Sequence, residues 1–197
     1  MEIHVKTKWH KAENKSIEDI ASVLALTTWK VGVRAVDHIG DENFQFTTIQ
    51  NRFAVLEEIL IFLIQIMDRW SHERMDDGER ERLVTDVVMQ LAATIDENQN
   101  DWIGVGNYRS AFFARFNERG QEYANFSFSQ DEPGYQFRRY LGERVLAVMG
   151  EENGNRWVID QVMEIEIPDA IKTLRRSFQG LILDSTTRGH STRATLD

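Results

Sequence analysis

Phe53-Ala54-Val55-Leu56-Glu57-Glu58-Ile59-Leu60-Ile61-Phe62-Leu63-Ile64-Gln65-Ile66-Met67-Asp68-Arg69-Trp70 reads as one long helix whose apolar face is too wide for a surface position. At 100° per residue, Phe53, Val55, Leu56, Ile59, Leu60, Phe62, Leu63, Ile64, Ile66, Met67 and Trp70 fill an arc of about 200°, whereas a peripheral helix needs roughly 100°. Gln50, Glu57, Glu58, Gln65, Asp68 and Arg69 hold the opposite, polar stripe. Such a helix must be covered on several sides. It is either the centre of a bundle or half of a subunit contact.

Working outward, the segments on either side also carry helical spacing. Ser16 with Asp19 forms a near capping box, and Ile17, Ile20, Ala21, Leu24, Val31, Ala35 and Ile39 share one face up to Gly40, a natural stop. The central helix is expected from about 48 to 74. Asp76-Asp77-Gly78 breaks it and supplies an acidic first turn for a third helix bearing Leu83, Val84, Val87, Val88, Leu91 and Ile95. The polar, glycine-bearing stretch from Glu97 to Asn107 reads as the longest loop. A fourth helix carries Tyr108, Phe112 and Phe116 at i, i+4 and i+8, and residues 126–134 read as irregular. Phe137, Leu141, Val145 and Val148 mark a fifth helix ending near Gly150, and Pro168 opens or kinks a last one with Ile171, Leu174, Phe178 and Leu181.

Two short segments alternate with period two, Ile3-His4-Val5 with Trp9 and Val162-Met163-Glu164-Ile165-Glu166-Ile167. They could pair as a minor two-stranded element, although the second also extends a helical pattern. The fold expected is therefore all-α, a single-domain bundle of about six helices over 1–183. Residues 1–15 form an N-terminal arm. Residues 184–197, without apolar periodicity, form a disordered tail.

Composition narrows the function classes. The 197 residues include 32 acidic and 23 basic side chains, a net charge of -9 that opposes nucleic acid and anionic lipid. The chain has no cysteine, which removes disulfides, thiolate metal sites and Cys nucleophiles. The N-terminus shows no secretory pattern, and the longest apolar run, Ile59 to Ile64, is far short of the roughly 18 residues of a membrane span. A cytoplasmic protein is expected.

No catalytic constellation stands out. The Glu-x-x-His pairs of carboxylate metal bundles are absent, and the nearest substitute, Asp68 with His72 at i, i+4, reads as a solvated stripe or a polar seam at a subunit contact rather than as part of a metal-assisted site with Glu57 and Glu58. No metal or cofactor is therefore expected. His38 lies at the end of the first helix, where histidine caps carbonyls and meets the helix dipole. Gly104-Val105-Gly106 lacks the strand and the remaining glycines of a phosphate loop. Arg138-Arg139 with Arg144, and Lys172 with Arg175-Arg176, are the densest basic clusters and read as solvated faces.

The leading expectation is a non-enzymatic helical protein that works through protein contacts, as an adaptor, assembly factor or regulator. It would be a homodimer joined through Ile59, Phe62, Leu63, Ile66 and Trp70. The alternative is a bundle that holds a small apolar or acidic ligand in an aromatic pocket made by Trp102, Tyr108, Phe112 and Phe116, with Arg115 meeting its charge. Aromatics at helical spacing are, however, most often plain core.

Overall fold

The computed structural model describes residues 16–189, with the side chains of 152, 153 and 183–189 excepted. It is an all-α bundle of six long helices: α1 (Ile17–Asp41), α2 (Ile49–His72), α3 (Asp77–Trp102), α4 (Tyr108–Tyr123), α5 (Tyr135–Met149) and α7 (Ile167–Gly189). A one-turn helix, α6 (Val158–Gln161), precedes α7.

α2 is the centre. Every residue from Val55 to Ile64 is buried, so the helix is enclosed on all sides for nearly three turns. It packs against α1, α3, α4, α5 and α7. Each large apolar side chain buried there stabilises the fold by roughly 1.5–3 kcal/mol, most of it offset by lost chain entropy. Gly32 lets α1 approach closely, because a Cβ at that position would lie 2.8 Å from Leu60 Cδ2.

Local chemistry sets the helix starts. Ser16 and Asp19 form a reciprocal capping box, with each backbone N–H donating to the other's side chain at 3.2 Å. Asp76 accepts from the Glu79 N–H at 2.9 Å, and Thr48 from the Asn51 N–H at 3.1 Å. α1 runs one residue past Gly40, and the chain reverses at Asn43, which takes the left-handed conformation at φ 68°. α5 ends on Gly150 at φ 77°.

Four expectations need correction. The stretch expected as a loop from Glu97 continues α3 to Trp102. There the amides of Asn98 and Asn100 donate to carbonyls four residues back, and Gln99 reaches a buried partner on α2. Polar composition suggested a loop, but side-chain hydrogen bonds satisfied it within the helix. Residues 162–166 form a π turn rather than a strand. Pro168 removes the donor that would close an α turn on the Glu164 carbonyl, and the chain accommodates this by widening. The one strand pairing among the described residues lies instead in the stretch expected to be irregular, a hairpin of β1 (Phe128–Ser129) and β2 (Glu132–Pro133). Finally, α7 continues to Gly189, beyond the point where apolar periodicity stops, so the tail expected from Asp184 begins as helix. The N-terminal arm, 1–15, and residues 190–197 lie outside the described residues. No helix among the described residues is long and apolar enough to cross a membrane.

Candidate anion-binding cleft

Pro168, Ile171, Lys172, Arg175, Arg176 and Gln179 recur along α7 at spacings of three and one, which places them on a single helical face. Across from that face stand Glu132 and Pro133 of β2 and Arg138 of α5. Together these nine residues line a cleft of about 480 Å³. Arg138, from one basic cluster, thus shares a concavity with Lys172, Arg175 and Arg176, from another more than thirty positions away in sequence. Four cations line it against one carboxylate, in a chain whose overall charge is -9.

The hairpin positions the carboxylate. Its turn residues Gln130 and Asp131 both take left-handed backbone, at φ 52° and 63°. No glycine relieves this strain, so surrounding contacts must hold the turn. The Asp131 carbonyl accepts from Trp70 Nε1 at 2.9 Å and from Arg175 Nη2 at 2.8 Å, while its carboxylate takes Arg74 Nη2 at 2.5 Å. Gly134 then passes so close to Ser127 that a Cβ would sit 2.2 Å from the serine Oγ, and its N–H donates to the Ser127 carbonyl at 2.9 Å. α5 therefore starts immediately beside β2, with Arg138 one turn in.

Within the cleft, Arg175 is engaged and the other cations are not. Its Nη2 donates to Glu132 at 2.6 Å, and its guanidinium lies 5.3 Å from the Trp70 ring centre. Arg138, Lys172 and Arg176 form no ion pair among the described residues. The neighbouring Arg139, by contrast, is paired with Glu143 at 2.8 Å. Asp169, the acidic residue nearest Lys172 on α7, faces Arg34 at 3.3 Å. The cleft thus carries three cations without an ion-pair partner among the described residues.

A sequence signal for this site existed. Arg139 has Glu143 at i+4, the ordinary partner of a solvated helix cation, whereas Arg138, Arg175 and Arg176 have no acidic residue at i±3 or i±4. The signal separates Arg138 from Arg139 within one cluster and leaves Arg175 and Arg176 of the other without a local acidic neighbour.

The residues expected to form sites are distributed otherwise. Ile59, Phe62, Leu63, Ile66 and Trp70 are all buried within the single chain, at 2% exposure or less. The apolar arc that suggested a subunit contact is covered by the chain's own helices, and these five side chains present no surface to a second copy. Of the expected aromatic pocket, Phe112 is fully buried core, Tyr108 donates its hydroxyl to the Gly104 carbonyl at 2.9 Å, and Phe116 is half-buried. Trp102 is half-exposed at the end of α3. Arg115 is committed to Glu57. Phe112 belongs to the core, and Tyr108 and Phe116 pack against that same core from partly buried positions.

Glu57 and Glu58, expected on a solvated stripe, are buried. Glu57 accepts from Gln99 Nε2 at 2.5 Å and from Arg115; Glu58 takes Arg119 through both carboxylate oxygens at 3.0–3.1 Å. Burial pushes the Glu57 carboxyl above its usual range, the nearby Arg115 charge offsetting only part of the effect. Burial is the largest single influence on Arg119 and opposes its charge, but the hydrogen bonds and attraction of Glu58, together with Glu118, outweigh it and its pKa rises. Beside them the Tyr123 hydroxyl is buried without a hydrogen-bond partner among the described residues, and desolvation drives its pKa well up. Asp68 is gripped by Arg80 at 2.7 and 2.8 Å. The acidic residues of the central helix thus serve as a seam that docks α3 and α4. His38 meets Glu166 of the π turn at 2.7 Å and Glu42 at 3.5 Å, rather than capping carbonyls alone.

No protein-family model, curated protein or solved structure matches this chain.

Proposed function

We propose that this protein is a non-enzymatic binding protein and that its binding chemistry is recognition of an acidic group in the cleft between β2, α5 and α7. The observation that supports the reading is the convergence of Arg138, Lys172, Arg175 and Arg176 on one concavity, with Glu132 the one acidic lining residue among those described. Four cations held close together repel one another. Arranging them around a space large enough for a ligand is costly unless an anion completes the set. The acidic-ligand alternative read from the sequence thereby moves from the aromatics of α4 to a different face of the bundle.

Isothermal titration with inorganic pyrophosphate tests this. Binding is expected at low ionic strength and should weaken as salt rises from about 50 to 200 mM, because part of the attraction is screened Coulomb energy. The double variant Arg138→Ala, Arg176→Ala should bind at least about tenfold more weakly with an unchanged circular-dichroism spectrum, each charged hydrogen bond contributing about 1.5–3 kcal/mol. No heat at low salt, or equal affinity in the double variant, would remove the reading.

A further inference from the structure

The class of ligand can be taken one step further, on the basis of the anion-binding reading above. Besides its cations the cleft is walled by Pro133, Pro168 and Ile171, two of them buried. An extended polyanion would leave that apolar wall unused. Its charges would also reach past the cleft into the field of a chain carrying -9. A volume of about 480 Å³ instead falls within the 300–1,000 Å³ of small-molecule sites. With Arg138, Lys172 and Arg176 unpaired among the described residues, a single carboxylate would leave two of them uncompensated. A phosphate monoester brings close to two charges near neutral pH and three acceptor oxygens, suited to arginine forks.

Arg175 shows that an oxyanion is accepted there. Its Nη2 already holds the Glu132 carboxylate at 2.6 Å, so Glu132 occupies, from within the chain, a position that a ligand oxygen could take. Glu132 is more than half exposed, and releasing such a contact to water costs little. We infer that the cleft binds a small organic phosphate monoester, its phosphate held by Arg138, Lys172 and Arg176, its apolar body against Pro133, Pro168 and Ile171. The phosphate displaces Glu132 from Arg175 on entry. Trp70 reports the exchange, because Arg175 lies over its ring and its Nε1 donates to the carbonyl of Asp131, beside Glu132.

The test uses the full chain and compares phenyl phosphate, phenol, inorganic phosphate, a hexaglutamate peptide and vesicles containing phosphatidic acid. Phenyl phosphate should bind at least about tenfold tighter than inorganic phosphate, the gain of burying its ring, while phenol should not bind measurably. Binding should change tryptophan emission in the native protein and not in Trp70→Phe, with calorimetry on Glu132→Gln as an independent readout. Glu132→Gln should tighten phenyl phosphate by about three- to tenfold, by removing an internal competitor. If neither pyrophosphate nor phenyl phosphate binds, the anion-binding reading falls as well. If pyrophosphate binds but phenyl phosphate gains nothing over inorganic phosphate, acid recognition stands and the monoester class is wrong. Tighter binding of hexaglutamate would assign the cleft to an acidic peptide, and cosedimentation with the vesicles would assign it to a lipid headgroup. Unchanged affinity in Glu132→Gln would overturn the exchange.

Discussion

Glu57 and Glu58 are adjacent, both buried, and differ in what their loss would cost. The partner of Glu57, Arg115, is 30% exposed and can turn to water, whereas the Arg119 side chain beside Glu58 is only 11% exposed. Removing the Glu58 charge leaves a buried guanidinium with Glu118, a solvated residue, as its one counterion among the described residues. Glu58→Gln should therefore destabilise by about 3 kcal/mol, near the lower end for breaking a buried pair, read as a lowered urea midpoint at unchanged slope. Glu57→Gln should cost clearly less, since burial already disfavours that charge. Equal losses in the two variants would show that the Arg119 environment is wetter than its geometry indicates.

Among the elements, the π turn before α7 is tied to the end of α1 through one histidine. Hydrogen bonding to Glu166 raises the His38 pKa, with the Glu166, Glu42 and Asp41 charges adding to it and desolvation opposing. Gln161 donates to the same Glu166 oxygen at 2.8 Å, so the carboxylate is oriented from both sides. A histidine whose folded pKa lies above its unfolded value stabilises fully below the unfolded value, about 6.5, and that contribution fades as pH rises through the folded one. Wild type should therefore exceed His38→Gln in stability by more at about pH 6 than at about pH 8.5, as measured by urea denaturation. A difference independent of pH would mean that the ring acts by packing alone. α4 illustrates a different economy. Only Phe112 and Tyr123 of that helix are fully buried, and Arg115 and Arg119 add ion pairs to α2 beside this apolar packing.

At the scale of the whole molecule, the central helix sits in one continuous apolar core of the described residues. Leu63 is fully enclosed, and an aspartate there would be a buried charge without a partner. Leu63→Asp should cost at least about 4 kcal/mol and abolish the folded state, seen as loss of helical circular dichroism. A folded variant of altered subunit mass would instead return this helix to an interface. The same enclosure places any contact with other molecules on the outer faces, where the cationic cleft opposes the sign of the chain as a whole. If the cleft binds an anion as proposed, affinity for pyrophosphate should fall as salt rises from about 50 to 200 mM, read by calorimetric titration.

The α class, the central position of residues 53–70 and most helix starts were legible in the sequence, because apolar periodicity and capping residues act over a few positions. Ser16, Asp76 and Gly150 do in the fold what their spacing suggested. Polar residues were misread wherever their partners were distant. Glu57 and Gln99 come from different helices, as do His38 and Glu166, so a stripe that looks solvated in one helix becomes a buried seam between two. The cleft is the same case: Arg138 and Arg176 are each unremarkable alone, and helix packing together with the hairpin turn at Gln130 and Asp131 puts them around one space. Hydrophobic pattern is a local property of the chain, whereas charge compensation is a property of pairs, and which pairs meet is decided only by tertiary structure.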